Sequence, residues 1–279
     1  MSQKDKLNSR TVHALVFLGT SGAFQIPVFF CLCKVCEAAR RNLKHRRTRA
    51  SIALLGEEIV IVDAGPDLEF QLEREAIRHV DRIFITHWHY DHVWGLGSLG
   101  EPASCAKWPQ IEVYLPEQVA YHFDQELAYM KKEVNLHPIH PGDKFELPDA
   151  TWEVVKTTHT EHSVGFIVEG KKRFAYLVDS VMPPPETLER LKELDFLILE
   201  ATVDELSLRK GEKWFNFSLQ QAVDCWKHIG AERCILTHLS CHSWKDGRLV
   251  AGLEYSKRLE YEAKIPNLKF AYEGMRLAL

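Results

Sequence analysis

The stretch Ile83-Phe-Ile-Thr-His87-Trp-His89-Tyr-Asp91-His92 decides how the rest of the chain is read. An apolar, β-branched run of strand character stops at Thr86, and four metal-competent side chains follow within six residues. A buried strand feeding a short loop is the simplest local structure for such a pattern. Alternation in that loop points His87 and His89 the same way and leaves Asp91 and His92 to turn towards a neighbouring position. Neutral imidazoles with a carboxylate suit a borderline divalent ion such as Zn²⁺, Mn²⁺ or Fe²⁺. One histidine in such a place is an ordinary polar turn; four potential ligands at this spacing form a motif.

Outward from this segment, strand-length runs recur, among them His13–Thr20, Ser51–Leu55, Ile59–Asp63, Ile111–Leu115, Trp152–Thr158, Val164–Glu169, Arg173–Val178, Phe196–Leu199, Cys234–Thr237 and Leu268–Tyr272. Segments of helical period lie between them: Asp67–His79, Pro116–Lys132, Pro184–Leu194, Ser218–Ile229 with a Ser cap, and a weaker Leu253–Ala263. This rhythm predicts α/β layers. The chemically competent residues run from Asp63 to His238, so a cut into two domains would split one site. One domain over residues 1–279 is expected, with an ordered insertion at about 24–49.

The 279 residues are 46% hydrophobic and 27% charged, which excludes a disordered or collagenous chain. Lys and Arg number 35 against 39 Asp and Glu, a net charge of −4 that does not advertise general binding to nucleic acid or anionic membrane. No apolar run approaches the ~20 residues of a membrane span. Met1 to Arg10 has no apolar signal core, so a cytoplasmic location is expected.

The motif His87-x-His89-x-Asp91-His92 resembles the signature of the metallo-β-lactamase superfamily, and further family motifs follow in order. Ile59-Val-Ile-Val-Asp63-Ala-Gly65, Thr158-His159 ahead of Gly165-Phe166, Ala175-Tyr-Leu-Val-Asp179-Ser and Cys234-Ile-Leu-Thr-His238 cover almost the whole chain. The resemblance implies an αββα sandwich, two mixed β-sheets flanked by helices. It implies two divalent ions, one on His87, His89 and His159, the other on Asp91, His92 and His238, with Asp179 bridging. Asp91 then doubles as a catalytic residue, and Asp63 orients a ligand from behind. His162 competes with His159 for the ligand role; spacing to Gly165-Phe166 favours His159, which makes His162 a candidate proton donor at the mouth of the site.

Cys31-Leu-Cys33-Lys-Val-Cys36 crowds three thiols into six residues. In a reducing compartment such spacing reads as a structural Zn²⁺ site short of one ligand. Cys241 is the expected fourth ligand and His242 the alternative. Cys105, Cys225 and Cys234 are expected to be small buried hydrophobes. Trp88, Tyr90 and Trp94 are expected to pack, with base stacking the alternative. The Arg40–Arg49 run is the one dense basic stretch, and Arg46 and Arg47 are its candidate substrate contacts.

With its Cys-x-Cys-x-x-Cys insertion the chain resembles phosphoribosyl cyclic phosphodiesterases, the pyrroloquinoline-quinone biosynthesis B proteins and, more distantly, the tRNA 3′-processing nucleases. A complete second ligand set favours a hydrolase. The reading is a dinuclear phosphodiesterase for a small or cyclic phosphodiester, in which two cations ready a water for attack on phosphorus. The alternatives are an RNA- or tRNA-processing nuclease, disfavoured by charge, and a glyoxalase-type thioester hydrolase. No membrane partner is expected, and a dimer is compatible with the sequence. Asn216-Phe217 stands where related phosphodiesterases carry a leaving-group His.

Overall fold

Two seven-stranded sheets account for most of the recurrent apolar runs. The computed structural model describes residues 13–105, 109–131, 133–204, 216–245 and 248–279. The first sheet contains β1 (Ala14–Gly19), β2 (Ser51–Leu55), β3 (Ile59–Val62), β4 (Arg82–Phe84), β5 (Ile111–Pro116), β6 (Val134–Ile139) and β16 (Arg276–Ala278), in the order β16-β1-β2-β3-β4-β5-β6. The second contains β7 (Lys144–Glu146), β8 (Thr151–Lys156), β9 (Val164–Glu169), β10 (Arg173–Leu177), β11 (Phe196–Glu200), β12 (Arg233–Thr237) and β15 (Leu268–Phe270), in the order β15-β12-β11-β10-β9-β8-β7. A hairpin of β13 (His242–Lys245) and β14 (Arg248–Ala251) stands apart. Both sheets are mixed: β3 to β6 run parallel, as do β10, β11, β12 and β15, and the remaining pairs are antiparallel.

Alternation along each strand sorts side chains onto the two faces of its sheet. Leu15, Phe17, Ile52, Val62 and Phe84 meet Trp152, Val154, Phe166, Phe174 and Phe196 between the sheets. Phe84 stacks between Tyr114 and Trp152, with centroids 4.6 and 4.7 Å away. The opposite faces are also buried. Val16, Ile61, Ile83 and Val113 pack under α2 (Leu68–Arg74) and α5 (Glu117–Glu126), whereas Ile167, Leu177, Leu197 and Leu236 pack under α7 (Leu219–Ile229). Burial of both strand faces is why these runs read as continuous apolar stretches. The layering is the expected αββα sandwich.

The remaining helices are α1 (Lys34–Arg41), α3 (Tyr90–Val93), α4 (Leu96–Cys105), α6 (Pro185–Leu188) and α8 (Tyr255–Lys264). Ser218 caps α7, as its sequence predicts, and forms a capping box with Gln221. The segment expected to be helical over Pro184–Leu194 is an α-helix over Pro185–Leu188 only, and Glu193, with φ 55°, stands outside helical backbone. Among the described residues, no helix is long and apolar enough to cross a membrane.

Candidate metal centre

Parallel strands deliver the polar residues to one edge of the sandwich. Asp63 follows β3, His87 and His89 follow β4, and α3 carries Asp91 and His92. Asp179 and His238 follow β10 and β12, while His159 sits in the turn between β8 and β9. Gly65 is required for this closure, since a Cβ there would lie 2.1 Å from the Asp91 carbonyl oxygen. The Val164 N–H donates to Thr86 O at 3.0 Å, tying the two sheets together beside the site.

The chain brings the expected residues into two donor sets that share Asp179. His87, His89, His159 and Asp179 form one, and Asp91, His92, Asp179 and His238 the other; within each set the donor atoms lie within 4.8 Å of one another. Asp179 Oδ2 stands 3.4 Å from His87 Nε2, 3.9 Å from His159 Nε2 and 2.9 Å from His92 Nε2, and Oδ1 stands 3.3 Å from His238 Nε2. Asp91 Oδ2 is 3.2 Å from His92 Nε2 and 3.6 Å from His238 Nε2.

The imidazoles are oriented from behind. Asp63 Oδ1 accepts from the Thr86 N–H and hydroxyl at 2.9 Å, and Oδ2 lies 2.8 Å from His92 Nδ1. His238 Nδ1 meets Thr202 Oγ1 at 2.7 Å and His87 Nδ1 meets Thr86 Oγ1 at 3.0 Å. Such contacts fix the ring and leave the other nitrogen for an ion. Nε2 of His92 and of His238 is buried and makes no hydrogen bond. Carboxylates converging on buried ring nitrogens that have no hydrogen-bond donor or acceptor role of their own are the donor chemistry a cation needs. The residues present therefore fit a pair of divalent cations.

Electrostatics point the same way. Burial opposes charge on every group here, and neighbours decide the outcome. Burial, with His92 nearby, pushes His87 well below the ordinary imidazole range, and His89 falls through burial and His159. Burial also works against a charged His92, but Asp63 and Asp91 hold its pKa well above the usual value; Asp179 does the same for His238. Against their own burial, Asp91 is held low by His92 and His238, and Asp179 by His238 and His92. Positive charge is thus favoured between these carboxylates.

Other expectations resolve differently. His162 lies outside both donor sets and outside the cleft lining; the turn in which Ser163 Oγ donates to Thr160 O carries it outward, towards Glu161. The proton-donor reading finds no geometric support. Arg47 is buried at 4% exposure, Arg46 donates to Ala39 O, and neither lines the cleft, so neither is placed to bind substrate there. Trp88 stacks on His122, but Tyr90 and Trp94 are 51% and 41% exposed, which corrects the packing expectation for both. Cys225 and Cys234 are buried and Cys105 is exposed.

Glu200 is a residue supporting the site that motif reading missed. Fully buried at the end of β11, it accepts from Ser180 N–H at 2.7 Å and Asn216 Nδ2 at 2.8 Å, accepts from Thr202 Oγ1, and lies 3.4 Å from His238 Nδ1. A carboxylate closing the apolar run Phe196-Leu-Ile-Leu-Glu200 was the available signal. Asn216 also donates to Asp179 Oδ1 at 2.5 Å, so the amide that stands near the missing His reaches the centre.

Beside the cleft, Cys31, Cys33, Cys241 and His242 form a third donor set. His242 Nε2 lies 2.9 Å from Cys31 Sγ, and Nδ1 lies 2.8 Å from Cys241 Sγ. Cys241 and His242 are therefore joint members rather than alternatives. Cys36 Sγ accepts the Val28 N–H at 3.4 Å and adjoins the Cys31, Cys33 and Cys241 thiols, although the four grouped donors do not include it. Three thiols and an imidazole fit a structural zinc.

The family model described as the beta-lactamase superfamily domain matches residues 59–239. A ribonuclease Z of Bacillus velezensis is 22% identical over 324 residues, covering 95% of this chain and 98% of the relative. An octanoyltransferase of Porphyromonas gingivalis is 26% identical over 236 residues, covering 82% of this chain, which spans 46% of that protein. The crystal structure of a diphosphatase from the PhnP family superposes with a TM-score of 0.79 at 24% identity, covering 95% of this chain and 97% of that one; at this identity the likeness concerns the fold.

Proposed function

The chain belongs to the beta-lactamase superfamily, and from that premise we propose a dinuclear metal-dependent hydrolase whose substrate is a small or cyclic phosphodiester. One observation carries the reading: Asp179 is shared by two donor sets, an arrangement that suits two adjacent cations. When bound, such a pair supplies an activated water and neutralises charge on non-bridging phosphoryl oxygens. That chemistry matches a diester, whose non-bridging oxygens already carry charge, better than a thioester carbonyl.

The chain's own residues hold and select. Asp63 and Thr86 keep His92 and His87 in register, and Thr202 and Glu200 do so for His238. Asn216 restrains Asp179 through Oδ1 and, with Ser240, places polar groups on the cleft wall. Among the described lining residues there is no Lys or Arg, so a polynucleotide backbone has little to grip. An RNA-processing nuclease is the second reading, favoured by the likeness to ribonuclease Z along 95% of the chain. We further propose one zinc at the cysteine cluster and, with seven free thiols, a reducing cytoplasmic setting.

Metal-loaded protein should hydrolyse bis(p-nitrophenyl) phosphate or a cyclic phosphate faster than a thioester or precursor tRNA. Robust thioester turnover without diesterase activity at any metal loading would overturn the assignment, and cleavage of precursor tRNA alone would promote the second reading.

A further inference from the structure

We propose that the segment from Ala23 to Phe30 is a subsite for one aromatic ester arm of the substrate, with Phe24 and Phe30 as its walls; the proposal rests on the phosphodiesterase reading above. The cleft encloses about 520 Å³, within the range of small-molecule sites. Its lining combines two chemistries: His89, Asp91, His159, Asp179 and His238 of the polar centre, and the apolar side chains of Ala23, Phe24, Val28, Phe30 and Val203. Phe24 is 65% exposed and Phe30 72%, and Phe29 packs edge-on against Phe30 with centroids 4.7 Å apart. Grouped exposed rings beside a polar centre mark a binding surface rather than a core.

The wall is built rather than loose. The Arg40 guanidinium donates to the carbonyls of Cys31, Val28 and Phe29 at 2.6, 2.8 and 3.2 Å. Ile26 and Arg47 exchange backbone hydrogen bonds of 2.7 and 2.9 Å. Cys31, next after Phe30, belongs to the thiol and imidazole cluster, whose Cys241 and His242 also line the cleft. A wall clamped in this way loses little freedom when a ring docks on it. The absence of Lys and Arg from the described lining disfavours a second anionic group on the same arm. The complementary substrate is a diester with a single negative charge and one aromatic arm.

The test uses metal-loaded protein with benzyl and methyl p-nitrophenyl phosphate, which share a leaving group. Equilibrium binding of benzylphosphonate and methylphosphonate is measured alongside. The benzyl compounds should lead by about five- to twentyfold in KM and in Kd, the span expected for docking one ring on an apolar wall. Phe24→Ala and Phe30→Ala should each shrink that ratio, and Phe30→Trp should keep it. Equal binding of the two phosphonates, or a preference that survives both alanine variants, overturns the subsite. If neither ester is hydrolysed yet the phosphonate preference holds, the phosphodiesterase reading fails and the subsite stands.

Discussion

Asp63, Asp179 and His238 hold left-handed backbone, with φ of 64°, 52° and 56°. Few residues other than glycine adopt it without cost, and such strain gathers at functional positions. Each of the three follows a strand, where the kink turns the side chain across the sheet edge. The members of the two donor sets were legible in sequence through the motifs that carry the family resemblance; the strain and the Glu200–Asn216 support were not, because both arise from non-local contacts. Asp179→Asn removes one charge between two cation positions, so at least one ion should bind more weakly and turnover should fall by roughly two orders of magnitude or more. Metal content, circular dichroism and kinetics on the same variant check this, and normal activity with both ions bound would refute the bridging role.

The same residues set a pH dependence. In metal-free protein the raised pKa values of His92 and His238 stabilise the fold fully below the unfolded histidine value of ~6.5, and that contribution is lost as pH rises through the folded values. The depressed Asp91 and Asp179 contribute above the unfolded value of ~3.9, a contribution lost as pH falls through their lower folded values. An incoming cation must displace the imidazole protons, so apparent metal affinity should climb between about pH 6 and 8, near tenfold per unit for each proton released. Chelator competition at three pH values measures it; a flat profile would mean that the empty site carries no such protons.

At the scale of elements, the basic run Arg40–Arg49 shows how sequence misleads. Its charge reads as a phosphate patch, yet α1 turns Arg40 onto backbone carbonyls, Arg47 is buried, and Arg49 pairs with Asp67 at 2.9 Å while donating to Ala23 O. Arg40, Arg47 and Arg49 are consumed in shaping this segment, whereas Arg41, Lys44 and Arg46 stay exposed on its outer side. Edge strands β6 and β16 were also illegible: β6 carries Asn135, His137 and Pro138, and an edge strand pairs on one side only, so it keeps little of the apolar pattern. The cysteine cluster brings this segment against the residues that follow β12. Cys241→Ser and His242→Ala should each release one equivalent of zinc and lower the melting temperature while sparing the ligands of the other two sets. Zinc retained in His242→Ala but lost in Cys36→Ser would put Cys36 in the fourth position.

For the whole molecule, the αββα layering was readable because strands buried on both faces leave unbroken apolar runs, whereas helix lengths depended on which turns the core would accept. Phe84 links the scales: its ring stacks in the core between the sheets, and its strand ends three residues before His87. Phe84→Ala should cost about 3–5 kcal/mol, the usual range for a buried aromatic cavity. Denaturant unfolding and metal retention should decline together, because the strand that aims the ligands loses its anchor. Stability lost with metal affinity unchanged would separate the core from the site.

The account's central claim, two cations bridged by Asp179, is tested most directly by anomalous diffraction from crystals of metal-loaded protein. It predicts two peaks roughly 3.5–4 Å apart, one among His87, His89 and His159 and the other among Asp91, His92 and His238, with an Asp179 oxygen on each, and a separate peak at the cysteine cluster. A single ion at full loading, with the Asp179 carboxylate bound on one side only, would contradict it.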